Sequence, residues 1–155
     1  MYPIAIETFP GAVLATLPHQ GSYQGIGPLF GRAFMLAMGQ GLLGPDCLMY
    51  GVYFDDPAQV PEARLRSLAG ISVSPQAVIG GELERYEIPA GRCAMLTYTG
   101  PYNEMGKAYD WLYSRWLPES GLEPGDCPMF EQYLNDPRST PPAQLQTRIC
   151  MMLAG

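Results

Sequence analysis

The sequence predicts an α+β fold: one strand-helix-strand-strand unit occurs twice, forming an antiparallel sheet with both helices on one face and a pocket at the pseudo-twofold axis. Three observations carry this expectation. A shift of 79 residues lays Pro10, Ala15, Leu17, Gly21, Tyr23 and Gly27 on Pro89, Ala94, Leu96, Gly100, Tyr102 and Gly106. Beyond a one-residue insertion, a shift of 80 lays Gly41, Leu42, Asp46, Cys47, Met49, Tyr53, Asp56 and Pro57 on Gly121, Leu122, Asp126, Cys127, Met129, Tyr133, Asp136 and Pro137, which is the signature of a tandem repeat. Both copies then pass through the same order of hydrophobic periods with short connections, so neighbouring strands pair antiparallel.

Each copy opens with an apolar strand, Ala12 to Leu17 and Arg92 to Tyr98, and turns at a glycine before Tyr23 or Tyr102. A helix follows. In the second copy Asn103 is the expected cap, and Met105, Ala108, Tyr109, Leu112 and Trp116 recur at helical spacing until Pro118, the expected stop. The first helix is expected from about Ile26 to Met38, with Gly31 weakening it. Next come the aromatic-rich strands Met49 to Phe54 and Met129 to Leu134, each closed by an Asp-Pro turn. A last strand lies near Leu68 to Val73 and Thr147 to Leu153. The repeats are expected at about 1–73 and 82–155 of a single domain spanning 1–155, with Ser74 to Gly81 as connector.

Composition narrows the function classes. At 155 residues and 47% hydrophobic, the chain can bury one sizeable core without disulfides or metal. A net charge of −6 and a single lysine, Lys107, leave no basic stripe for phosphates, so direct nucleic-acid binding is not expected. The N-terminal stretch lacks a signal-peptide pattern and no apolar run spans a bilayer, so the expected location is the cytoplasm, without membrane partners. Cys47, Cys93, Cys127 and Cys150 form no C-x-x-C pair and His19 stands alone, so neither metal nor cofactor is expected and the thiols are read as free and buried.

Familiar motifs give little. Gly39 to Gly44 has the G-x-G-x-x-G spacing, but it leaves a helix and meets Pro45 instead of leaving a strand and opening a helix. Ser22 lacks the nucleophile-elbow spacing, and one histidine gives no support for a hydrolytic triad.

Glu131 stands apart. It lies in an apolar aromatic strand on the same face as Met129 and Tyr133, and its repeat counterpart is Gly51. Either Glu131 faces water and Gly51 marks a bulge, or one copy supplies a carboxylate to a central groove where the other supplies room. In the second case a buried, unpaired carboxylate would have its pKa pushed upward until a cation paired with it. Phe30 and Phe34 align with Tyr109 and Tyr113, an aromatic flank on each helix, while Arg32 and Trp111 mark the opposite flank. The aromatic flanks are expected to line the groove, since a carboxylate ringed by aromatic faces holds lipophilic cations through charge and cation–π attraction.

Four segments, Ile88-Pro89-Ala90-Gly91, Thr99-Gly100-Pro101-Tyr102, Trp116 to Gly121 and Phe130 to Pro137, resemble the GyrI-like small-molecule-binding family, which includes bacterial DNA gyrase inhibitory proteins and effector-binding domains of AraC-type and multidrug-responsive regulators. The resemblance covers the whole chain and weakens in the first copy near Gly41. It implies a duplicated fold with a hydrophobic pocket between the units and places Glu131 at the position of the carboxylate that recognises cationic lipophilic compounds. Without a helix-turn-helix, a stand-alone sensor or sequestering protein is expected.

The expected ligand-binding set is therefore Glu131, Tyr133, Gly51, Tyr53, Met49, Phe30, Phe34, Tyr109 and Tyr113. Two alternatives stay open: a hydrolase of reactive small molecules with Glu131 as its acid or base, and a protein partner such as DNA gyrase.

Overall fold

The computed structural model describes residues 2–154; Met1 and Gly155, the two ends of the expected domain, lie outside the described residues. Eight strands form one antiparallel sheet: β1 (Ile4–Phe9), β2 (Ala12–Gln20), β3 (Met49–Tyr53), β4 (Arg66–Val73), β5 (Glu84–Ile88), β6 (Gly91–Thr99), β7 (Met129–Tyr133) and β8 (Gln146–Met152). Their order across the sheet is β1-β6-β8-β7-β3-β4-β2-β5. Helix α1 (Gly27–Gly39) joins β2 to β3; α2 (Gly106–Trp111), a π turn (Leu112–Trp116) and α3 (Leu117–Ser120) join β6 to β7.

Each repeat carries one strand more than its sequence pattern suggests. The short edge strands β1 and β5 precede the expected unit, and they cross over: β1 pairs with β6 of the second copy, β5 with β2 of the first. Residues such as Glu7, Thr8 and Glu84 leave these strands only half apolar, so they read as loops until a neighbouring strand supplies the pairing. The exchange joins the two copies at both ends of the sheet, and the β3–β7 ladder joins them at its centre.

Strand alternation sends side chains to two separate cores. On the helix side, Ala33 and Ala37 of α1 pack with Ala15, Leu17 and Ile71, while Met105, Ala108 and Leu112 pack with Ala94, Leu96, Ile149 and Met151. On the other side Phe9, Leu14, Tyr50, Val52, Ile88, Met95 and Phe130 meet without any helix, so the sheet curls over its own apolar face into a half-barrel. Cys93 and Cys150 lie in that core, but Cys47 and Cys127 are only half-buried, which corrects the expectation of four buried thiols.

The second helical segment departs from its expected limits at both ends. Asn103 falls in a 3-10 turn (Tyr102–Glu104), and α2 starts only at Gly106, with Met105 as N-cap and no side-chain cap bond. Nor does Pro118 end the helix. Lacking an N–H for the carbonyl four residues back, it sits in the first turn of α3, and the chain widens into the π turn immediately before it. The stop is Gly121, in the left-handed region at φ +70°. No helix among the described residues is long and apolar enough to cross a membrane.

A buried carboxylate under a tyrosine cover

The central ladder sets Met49 opposite Tyr133, Gly51 opposite Glu131 and Tyr53 opposite Met129, all in regular register, so Gly51 marks no bulge. These side chains share the helix face of the sheet, since the intervening Tyr50, Val52 and Phe130 belong to the opposite core. Glu131 is only 6% exposed.

Its carboxylate is not bare. Tyr133 donates its hydroxyl to Oε1 at 2.7 Å, and Tyr109, reaching in from α2, donates to Oε2. The Tyr53 hydroxyl lies 2.7 Å from that of Tyr133. Tyr133 has one proton and gives it to Glu131, so Tyr53 is the donor to Tyr133. Three tyrosines thus converge on one carboxylate, and among the described residues no cation pairs with it.

Burial holds the Glu131 carboxyl above its ordinary pKa, while the hydroxyls of Tyr109 and Tyr133 pull it part of the way back. The tyrosines answer in the same sense. Burial, and then the neighbouring Glu131 charge, hold Tyr53, Tyr109 and Tyr133 well above the usual phenol range, so all three keep the protons they donate.

Gly51 supplies the room, but the protein itself fills it. A Cβ at Gly51 would lie 2.5 Å from the Tyr53 hydroxyl and 2.6 Å from that of Tyr133. Two surface cavities, of about 460 Å³ beside Pro18, Phe54 and Leu68 and about 300 Å³ beside Pro10, Val13 and Pro89, are lined by none of the expected site residues. The space above Gly51, beside the pseudo-twofold axis, is occupied by the Tyr53 and Tyr133 side chains.

The structure brings most of the expected residues together. Phe30 of α1 meets Tyr133 edge-on with centroids 5.2 Å apart. Phe34 and Met49 are half-buried against the α1 core. Tyr113 is 45% exposed at the rim. On the opposite flanks Arg32 forms an ion pair with Glu82, and Trp111 packs on Tyr2 with centroids 5.5 Å apart.

Two further tyrosines extend the cover. Tyr23 meets Tyr53 edge-on at 4.9 Å and Tyr102 meets Tyr133 at 5.7 Å. They are repeat equivalents, visible in the alignment but read only as turn markers; an aromatic ring kept in both copies was the signal available. Ser67 and Thr147, also repeat equivalents, are buried without a hydrogen-bond partner and stand in register with Tyr53 and Tyr133 on the groove floor.

A curled eight-stranded antiparallel sheet with two helical segments over one face is the architecture of effector-binding domains. The chain matches the model of the GyrI-like small molecule binding domain over residues 2–154 and belongs to that family. Among curated relatives, a DNA gyrase inhibitor of Yersinia enterocolitica is 35% identical over 100 residues, a stretch covering 62% of each chain. The EcmrR C-terminal domain superimposes with a TM-score of 0.84 at 18% identity, covering 99% of this chain and 98% of that one. SAV2435, solved bound to tetraphenylphosphonium, gives a TM-score of 0.68 at 12% identity, with 99% and 94% covered.

Proposed function

We propose that this protein binds lipophilic organic cations in the groove between α1 and α2, as a cytoplasmic sensor or sequestering domain, with Glu131 as counter-ion. One observation carries the reading. A carboxylate with a single charge sits buried beneath aromatic rings, with hydroxyl donors but no cation. Burying an unpaired charge costs several kcal/mol, and hydroxyls offset that only in part, as the upward push on the Glu131 carboxyl records. A cation entering the groove removes the remaining cost, and the rings of Tyr53, Tyr133 and Phe30 add cation–π and apolar contact. Small inorganic cations lack the apolar surface to displace the tyrosines. The phosphonium held by SAV2435 is a cation of the proposed class.

Thermal-shift measurements test the reading. Lipophilic cations are expected to raise the melting temperature where neutral molecules of the same shape do not, since binding to the native state alone stabilises it. Equal shifts from both would sink the proposal.

The name of the Yersinia relative supports a second reading, contact with DNA gyrase. Supercoiling assays at stoichiometric excess of protein should then show inhibition, and its absence would remove this reading.

A further inference from the structure

We infer that Gly51 is the residue that sets how tightly the groove takes its ligand, by admitting the tyrosine hydroxyls that occupy the Glu131 carboxylate when no ligand is bound. The inference rests on the cation-binding reading for its effect on affinity, and on geometry alone for its effect on the empty protein. In a β-strand a residue's side chain stands over the neighbours on its own face, and the space above position 51 lies directly beside Glu131. Any side chain at 51 would begin with a Cβ 2.5 and 2.6 Å from the hydroxyl oxygens of Tyr53 and Tyr133, closer than real Cβ contacts come. The two hydroxyls fit only because that Cβ is missing. They are also the two linked members of the chain that ends on Oε1 of Glu131.

The position is not explained by the backbone. Gly51 has no left-handed φ and sits in regular register with Glu131, so the backbone would accept alanine there but for the side chains of Tyr53 and Tyr133, whose two hydroxyls and Tyr53 Cε2, at 2.8 Å, fill the space. The glycine answers to the tyrosines, and the tyrosines answer to the carboxylate. In the empty protein the Tyr133 hydroxyl partly neutralises Glu131; a ligand cation must take over that role, so its affinity is the difference between the two partners. Gly51→Ala pushes both oxygens away, leaves Oε1 without its donor, and raises the gain available to an incoming cation.

The groups facing Glu131 are Tyr133 and Tyr53 on the central strands, Tyr109 from α2 and Tyr102 from the turn before it, with Cys150 beyond the sheet. None carries a positive charge, so the titration of Glu131 reports the hydroxyl donors directly.

Two measurements test the inference. The carboxyl midpoint of Glu131, followed by carbon-detected NMR on the ligand-free protein, is expected to rise in Gly51→Ala and in Tyr133→Phe. A fluorescent lipophilic cation should bind both variants roughly tenfold more tightly than wild type, the scale of one hydrogen bond to a charged group. In a Tyr53→Leu/Tyr133→Phe background, which lacks both oxygens and the Tyr53 ring edge, adding Gly51→Ala should move the midpoint far less. An unmoved midpoint in Gly51→Ala, weaker binding of the probe, or an undiminished effect in the Tyr53→Leu/Tyr133→Phe background would overturn the inference. If Gly51→Ala alone fails to fold, the Tyr53→Leu/Tyr133→Phe background should rescue it, and no rescue counts against the inference. A probe that binds Glu131→Gln as well as wild type would refute the cation reading instead, and the ligand-free midpoints would still decide the role of Gly51.

Discussion

Gly51 and Glu131 face each other across the β3–β7 ladder, and the volume left by the missing side chain of the first holds the hydroxyls that serve the second. The two copies of the repeat are thus complementary at their shared axis. One copy contributes the charge and the other the space through which that charge is covered.

The two hydrogen bonds on Glu131 come from different elements and can be separated. Tyr109→Phe removes the bond from α2 and leaves the Tyr53–Tyr133 chain in place, so the carboxyl midpoint should rise while Tyr133 remains bonded. Leaving a buried carboxylate short of one donor should cost about 1–3 kcal/mol of stability at neutral pH. Urea unfolding of the variant at pH 5 and pH 7 checks this, because the loss should shrink at the lower pH as the carboxyl takes up a proton.

Glu131 also gives folding stability a definite pH slope. Its pKa is higher in the folded protein than in the unfolded chain, so the native state binds the extra proton, and stability falls as pH rises from the ordinary carboxyl range through the raised value. Below that range the penalty is absent. Asp55 and Asp136 work in the opposite direction, their carboxyls held low by Arg66 and Arg138, so their small contributions fade as pH drops through their lowered values. Subtracting the stability–pH curve of Glu131→Gln from that of wild type should isolate the Glu131 component. A flat difference would show that the carboxyl is not raised.

Glycines elsewhere behave differently from Gly51. Gly31 lies in the exposed interior of α1 with open space where its Cβ would be, so Gly31→Ala should stabilise by about 0.5–1 kcal/mol. Gly121 ends α3 at φ +70°, where an L side chain is strained, and Gly121→Ala should destabilise by about 1–2 kcal/mol. Chemical denaturation of the two variants side by side should show opposite signs.

Much of this architecture is legible in the sequence because the repeat states it twice. Paired signals such as Asp56-Pro57 with Asp136-Pro137, or Met49 to Tyr53 with Met129 to Tyr133, fix the two inner strands and their shared face. The edge strands β1 and β5 were not legible. They are half polar, and each is held by a strand of the other copy, an interaction between distant segments that local pattern does not encode. The π turn before Pro118 was hidden for a related reason: a proline reads as a stop unless the preceding turn can widen, and packing decides that. At the site, the residue types and the central position of Glu131 could be read from period and alignment. That Tyr53 and Tyr133 would bend over Gly51 onto the carboxylate depends on side-chain direction, which a two-residue period leaves open.

The central claim is that the buried Glu131 charge is what draws a ligand in. Calorimetric titration of one lipophilic cation into wild type and into Glu131→Gln tests it most directly. Attraction between unit charges about 4 Å apart at a partly buried site is on the order of 4 kcal/mol, so the dissociation constant of Glu131→Gln should rise at least about 50-fold. Its melting temperature should stay level or increase, because glutamine removes the buried charge. Equal affinities for the two proteins, with both fully folded, would contradict the account.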